Sequence, residues 1–232
     1  MESQNSDSDH DDIEGIINID DDIDAMVEKL LNESHDVYSS QTGWDQRYKE
    51  NSQIFEWYHP WSFFSKQIKE VIGFYGSVLH IGCGSSQMSI DLLEESFSKI
   101  INIDISSVII EIMRKRYSDL LSDRLEFVQG DCLNLPYSSN SFDFVIDKGT
   151  FDALLCSNDG PKTIKRMLLE VIRVLKPSGF FIEISYGSPD ERKNLFEKKA
   201  ISNLWTCFKH IDYEGTSKET RYYTYIYQKR SI

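Results

Sequence analysis

The chain lacks the features that would place it in a membrane, outside the cell or around a structural metal ion. No apolar run approaches the ~20 residues needed to span a bilayer, and the acidic beginning of the chain is unlike a signal or transit peptide. The four cysteines are far apart and include no C-x-x-C pair. We therefore expect free thiols in a reducing compartment and no structural zinc. Together these absences predict a cytoplasmic protein without a membrane anchor or a metal.

An excess of basic residues is also missing, since the chain has 25 lysines and arginines against 38 acids and a formal charge of −13. Residues 1–36 contain thirteen of these acids and a single base, Lys29, so the remainder is nearly neutral. This distribution argues against nucleic acid as a partner. It predicts an acidic, largely flexible tail over 1–36, with a short helix near 22–33, and one domain over 37–232. The tail either solubilises the protein or docks a basic partner.

One glycine is missing from a pattern that is typical of nucleotide-binding sites. An apolar run over 78–81 enters a turn with Gly82 and Gly84, and a second run ends in Asp104, 22 positions after Gly82. This layout is typical of a β-α-β unit that binds a nucleoside, although a structural turn is the alternative. A dinucleotide fingerprint needs a third glycine where the chain has Gln87. A cofactor without phosphates, such as S-adenosylmethionine (SAM), is therefore favoured over NAD.

Further strand ends carry acidic or small side chains. Asp104 is placed to accept hydrogen bonds from ribose hydroxyls. Asp131 could accept one from the adenine amino group, and the adjoining backbone N–H could donate one to a ring nitrogen. Asp147 ends a strand over 142–147, and the C-terminal ends of parallel strands meet at one edge of a sheet. The other predicted strands are 77–82, 99–104, 124–129 and 179–186, followed by an antiparallel pair near 205–210 and 221–227. Helices are predicted near 41–51, 60–73, 87–96, 106–119, 160–175 and 190–201.

With these segments in order, residues 40 to 230 resemble the class I, seven-stranded SAM-dependent methyltransferases. The segments 44–48, 55–58, 82–86 and 147–155 resemble more closely the small protein-lysine methyltransferases that act on translation elongation factor 1-alpha. The resemblance implies an α/β fold with one Rossmann-like sheet of order 3-2-1-4-5-7-6, its last strand antiparallel, and helices on both faces. It implies SAM as cofactor, S-adenosylhomocysteine (SAH) as product and a protein, possibly a basic translation factor, as partner. The cofactor positions that the resemblance implies are Trp44, Tyr48, Trp57, Gly82, Asp104, Ile105, Asp131, Cys132 and Lys148. Gly84 is added to them because it belongs to the glycine turn.

Several residues allow two interpretations. Trp44, Tyr48 and Trp57 are either core aromatics or a cover of the cofactor pocket, where an aromatic face attracts a sulfonium ion. Asp147 and Asp152 are either helix-cap or turn residues, or they steer a substrate ammonium. Asp147 is our candidate for orienting the substrate, and Phe151 could line the acceptor channel beside it. His80 is more consistent with a core residue.

The acceptor is the least constrained part of this interpretation. The alternatives to a protein lysine are a small-molecule O- or N-methyltransferase and a non-catalytic SAM-binding scaffold. The sequence gives no indication of the oligomeric state.

Overall fold

The structure, a computed structural model, describes residues 40–215 and 220–231 of the chain. The tail predicted over 1–36 and the helix predicted near 22–33 lie outside these residues.

Seven strands form a single sheet. Their bounds are β1 Ser77–Ile81, β2 Lys99–Asp104, β3 Leu125–Gln129, β4 Phe142–Lys148, β5 Leu175–Ser185, β6 Trp205–Glu214 and β7 Arg221–Lys229. The spatial order is β3-β2-β1-β4-β5-β7-β6. Strands β1 to β5 pair in parallel, and β7 is antiparallel to both β5 and β6. The predicted fold class, strand order and antiparallel last strand are confirmed.

Helices cover both faces of the sheet and create two cores. Their bounds are α1 Gln41–Glu50, α2 Trp61–Val71, α3 Met88–Asp91, α4 Ser107–Arg116, α5 Thr150–Leu155, α6 Gly160–Val174, α7 Pro189–Phe196 and α8 Lys199–Ser202. Phe64 of α2 and Met113 of α4 belong to the core on one face. Met167 and Val171, one turn apart on α6, belong to the core on the other. Because both faces are covered, the central strands are continuous apolar runs rather than alternating ones.

Four elements differ most from the sequence prediction. The helix predicted near 87–96 is the four-residue α3, continued by a 3-10 turn over Leu92–Glu94. The helix predicted near 190–201 is divided into α7 and α8, and this division lets Phe196 and Ile201 enter the same core. Five residues apart, these side chains would point about 140° away from each other on one continuous helix. Strand β5 begins earlier than predicted, at Leu175, with an irregular pairing to β4. The short helix α5 was not predicted.

The helices of the described ranges are too short or too polar to cross a membrane.

Candidate active site

The C-terminal ends of β1 to β4 border a cavity of about 580 Å³. Its floor consists of the turns that follow these strands, and its roof consists of α1 and residues 51–57. Open parallel sheets bind ligands at this edge. The ten residues assigned to the cofactor all lie in the cavity wall: Trp44, Tyr48, Trp57, Gly82, Gly84, Asp104, Ile105, Asp131, Cys132 and Lys148. The structure therefore brings them together, and their contact with a cofactor stays a prediction.

The turn after β1 has no room for side chains. Gly82 and Gly84 have φ of +60° and +50°, in the left-handed region that favours glycine. A Cβ atom at Gly82 would lie 1.8 Å from Oγ1 of Thr150, and one at Gly84 would lie 2.8 Å from the hydroxyl oxygen of Tyr48. The two glycines therefore let α5 and α1 approach the turn and leave its backbone accessible to a ligand.

Asp104 ends β2 beside this turn. Its two carboxylate oxygens accept hydrogen bonds from the N–H groups of Gly84 and Ser106, each at 2.9 Å. Burial raises the pKa of Asp104 to about 6, although these amide bonds oppose the rise. Because a carboxylate offers about four acceptor positions, Asp104 keeps capacity for two ribose hydroxyls. The arrangement fits a nucleoside.

The end of β3 supplies the next part of the wall. Asp131 fixes the turn, because its Oδ1 accepts a hydrogen bond from the N–H of Leu133 at 2.8 Å. Burial raises the pKa of the Cys132 thiol, which therefore stays protonated and is a poor nucleophile. His80 on β1 is hydrogen-bonded through Nδ1 to Asn102 at 3.0 Å, and burial lowers its pKa to about 4. It is a buried, hydrogen-bonded histidine, as we expected, and it also forms part of the cavity wall.

The roof is an aromatic cluster around one guanidinium. The rings of Trp44 and Tyr48 are stacked with their centres 5.8 Å apart. The Arg47 guanidinium lies 5.9 Å from the ring centres of Trp44, Phe55 and Trp57. These distances allow cation–π attraction, which stabilises the roof over the cavity.

Asp45 anchors the roof to the sheet domain, and sequence reasoning missed it. Its Oδ1 accepts hydrogen bonds from the hydroxyl of Ser106 at 2.5 Å and from the N–H of Val108 at 3.4 Å. These groups lie at the N-terminus of α4, where a carboxylate is favoured by the helix dipole. The helix that carries Trp44 and Tyr48 is therefore held against the helix that follows Asp104.

Lys148, at the end of β4, forms a buried ion pair with a second residue that sequence reasoning missed. Its Nζ donates to Oε2 of Glu56 at 2.6 Å and to the backbone oxygen of Trp57 at 3.0 Å. Glu56 also accepts hydrogen bonds from the hydroxyl of Ser86 at 2.7 Å and from the N–H of Gln87 at 2.5 Å. Burial lowers the pKa of Lys148, and the Glu56 carboxylate opposes this change. The pair joins the roof, the glycine turn and β4.

Asp147 lies one residue before Lys148 but does not line the cavity within the described ranges. Its side chain is fully buried, and its two oxygens accept hydrogen bonds from the N–H groups of Thr150 and Phe151 at 2.9 and 2.8 Å. Burial raises its pKa to about 7. These contacts cap the first turn of α5. The assignment of Asp147 to substrate orientation stays a prediction, with this capping role beside it.

Asp152 connects four segments behind the cavity. Its carboxylate accepts hydrogen bonds from the Tyr58 hydroxyl, the Arg192 guanidinium, the Ser185 hydroxyl and the N–H of Tyr186. Phe151 does not line an acceptor channel, because its side chain is fully buried and stacks on Phe196. That expectation was wrong, since Phe151 occupies the side of α5 that faces the core.

The fold agrees with comparisons with known proteins. A family model described as a methyltransferase domain matches residues 76–230. EEF1A lysine methyltransferase 4 of Bos taurus is 34% identical over 172 residues, which cover 70% of this chain and 67% of that protein. The human eEF1A lysine and N-terminal methyltransferase is 34% identical over 160 residues, 67% of this chain and 23% of that protein.

A solved structure shares the fold. The N-methyltransferase NodS from Bradyrhizobium japonicum WM9, in complex with SAH, has a TM-score of 0.60 and 14% identity, over 80% of this chain and 98% of that one. The chain therefore belongs to the methyltransferase domain family. It is a SAM-dependent methyltransferase, and the resemblance stated from its sequence is confirmed.

Proposed function

We propose that this enzyme transfers methyl groups to a lysine side chain of a protein, with elongation factor 1-alpha as the first candidate substrate. The observation that carries the proposal is the identity of 34% to proteins named for methylating lysine on eEF1A. The ten cofactor-site assignments, which include Trp57, Asp104 and Lys148, are part of this proposal. So is the division of the chain into a tail over 1–36 and a methyltransferase domain over 37–232.

The surroundings of Gly149 support a lysine as the acceptor. Gly149 lines the cavity directly after β4, and a Cβ atom there would lie 3.5 Å from Trp57 and 3.6 Å from Tyr58. Tyr186, at the end of β5, is 45% exposed. Its ring centre lies 6.4 Å from that of Tyr222, which in turn lies 5.5 Å from that of Tyr58. Tyr58 and Tyr222 are themselves buried, so they form a packed aromatic wall behind Gly149, and Tyr186 is the exposed ring at its outer end. An aromatic face of this kind favours a cationic acceptor such as a lysine.

The chemistry needs alignment more than it needs a reactive protein side chain. When bound, SAM supplies a methyl group on a positive sulfur; the S–C bond breaks as the amine forms the new N–C bond, and the electron pair stays on sulfur. Asp104 would hold the ribose, and the roof aromatics Trp44 and Trp57 would exclude water. The acceptor ammonium, with an ordinary pKa of about 10.4, first loses a proton to water. Partial burial beside Trp57 promotes that loss, because burial disfavours the charged amine.

Incubation of the full chain with methyl-labelled SAM and purified elongation factor 1-alpha, followed by mass spectrometry of the peptides, tests the acceptor. We expect label on lysine, and no label with Asp104→Ala. Label confined to small metabolites in a cell extract would instead identify a small-molecule methyltransferase. SAM binding without transfer to any acceptor would identify a scaffold.

The acidic tail gives the proposal a second test. We propose that residues 1–36, with thirteen acids, attract a basic translation factor in the cytoplasm. Deleting them should leave SAM affinity within about two-fold and raise the KM for the protein, and the salt dependence of that KM should flatten because salt screens the attraction. Equal KM values for both proteins at all salt concentrations would show that the tail only solubilises the chain.

A further inference from the structure

The Glu56–Lys148 pair is more shielded from solvent than any ordinary surface ion pair. The side chain of Lys148 is 2% exposed and that of Glu56 is 16% exposed. Lys148 lines the cavity, whereas Glu56 approaches it from the side of the glycine turn. Because charges interact strongly where water is excluded, removing one member of this pair changes the potential inside the cavity.

The position of the pair follows from the strand order. Asp104, which fits the ribose, ends β2, while Lys148 ends β4 on the other side of β1. With the nucleoside at the ends of β2 and β3, the methionine half of SAM has to extend over β1 toward β4. In this orientation the sulfur would lie on the side of the cavity that carries Lys148.

An unneutralised ammonium at this place would oppose catalysis. SAM carries a methyl group and a positive charge on its sulfur, whereas the sulfur of the product SAH is neutral; the charged amino-acid group is common to both. A lone Lys148 ammonium would therefore disfavour SAM relative to SAH, because only SAM carries the sulfonium charge. The balance between substrate and product would shift toward the product.

We propose that Glu56 is a specificity-determining residue, which neutralises Lys148 and thereby lets the cavity accept the positively charged cofactor. It also positions Trp57, because Lys148 donates to both Glu56 and the Trp57 backbone oxygen. The other charged groups of the cavity wall are Arg47, Glu50, Asp104 and Asp131. None of them is altered in the variants below, so they are common to every comparison of SAM with SAH. The inference rests on the proposed cofactor site, but it does not depend on the identity of the acceptor.

The test compares SAM and SAH as ligands, with dissociation constants from calorimetry at pH 7. Glu56→Gln keeps the shape of the side chain but removes its charge. We expect the ratio of the SAM to the SAH dissociation constant to rise on the order of ten-fold, or about 1.4 kcal/mol. Lys148→Met leaves the Glu56 carboxylate without its positive partner and should move the ratio in the opposite direction. The double variant should return the ratio to within about two-fold of the wild type.

A purely structural role of Glu56 would give a different pattern. Loss of the hydrogen bonds to Ser86 and Gln87 would weaken the binding of SAM and of SAH by the same factor. A ratio of dissociation constants that is unchanged in both single variants would therefore overturn the proposal. Glu95→Gln is the matched control. Glu95 is a buried carboxylate that pairs with Lys69 and accepts from Trp61, away from the cavity wall. It should leave the ratio unchanged. If Glu56→Gln fails to fold, Lys148→Met gives the opposite shift as an independent result.

Discussion

The ends of β1 to β3 and the ends of β4 and β5 use acidic residues in different ways. Asp104 at the end of β2 accepts two backbone amides and still lines the cavity. Asp147 at the end of β4 and Asp152 on α5 have their oxygens committed to internal donors. The first region has a carboxylate in the cavity wall, where we propose that it binds the ribose, and the second uses carboxylates to hold α5, β5 and α7 together. An acid at a strand end therefore indicates a place in the fold but not a role.

The largest expected effect is in the second region. Asp152→Ala leaves the Arg192 guanidinium buried without its carboxylate partner, and such a loss costs about 3–5 kcal/mol of the free energy of unfolding. Urea denaturation followed by circular dichroism measures it. Asp159→Ala, which removes an exposed ion pair with Lys162, should change the free energy by less than about 0.5 kcal/mol. Equal effects of the two variants would contradict the structural role of Asp152.

An intermediate effect is expected at Asp104, and it should appear in binding. Asp104→Ala removes charge-assisted hydrogen bonds worth about 1.5–3 kcal/mol, so SAM affinity should fall roughly ten- to a hundred-fold. In the wild type, affinity should also weaken as the pH falls through about 6, where Asp104 takes up a proton and loses its acceptor capacity. Calorimetry at pH 5.5 and 7.5 measures both effects. An affinity that does not change with pH would show that Asp104 does not bind the ribose.

The smallest effect is expected at Asp147. Its pKa is raised to about 7 in the folded chain from 3.8, so the folded state binds the proton more tightly than the unfolded state. The contribution of Asp147 to stability therefore decreases as the pH rises from about 4 to 7. Asp147→Asn removes this dependence but leaves one amide without an acceptor. We expect the free energy of unfolding of this variant to be lower than that of the wild type by about 1–2 kcal/mol at pH 5, and the difference to be smaller at pH 8. Unchanged stability with lost methyl transfer would instead support the substrate-orienting role.

The floor of the cavity could be predicted because its signals are local. Gly82 and Asp104 each follow an apolar run, and parallel strands bring such ends to one edge. Trp44, Tyr48 and Trp57 could be placed only through the resemblance, because nothing in their spacing says which surface they cover. Glu56 could not be found, because its role depends on a contact with Lys148, which lies 92 residues away. Asp147 gave the same local signal as Asp104, although its oxygens cap a helix.

The long separation between the roof and its anchors has a consequence for synthesis. The roof and the adjoining Tyr58 leave the ribosome before any strand of the sheet. Lys148 comes 92 residues after its partner Glu56, and Asp152 comes 94 residues after its partner Tyr58. A nascent chain that ends before β4 contains the roof, the glycine turn, Asp104 and the contacts of Asp45 and Glu56 with residues 86–108, yet it lacks Lys148 and Asp152. Since chains emerge from the N-terminus and long loops cost entropy to close, the cavity is completed late. With the cofactor site as proposed, we expect newly made protein to gain its affinity for SAM only after more than half of the chain has emerged.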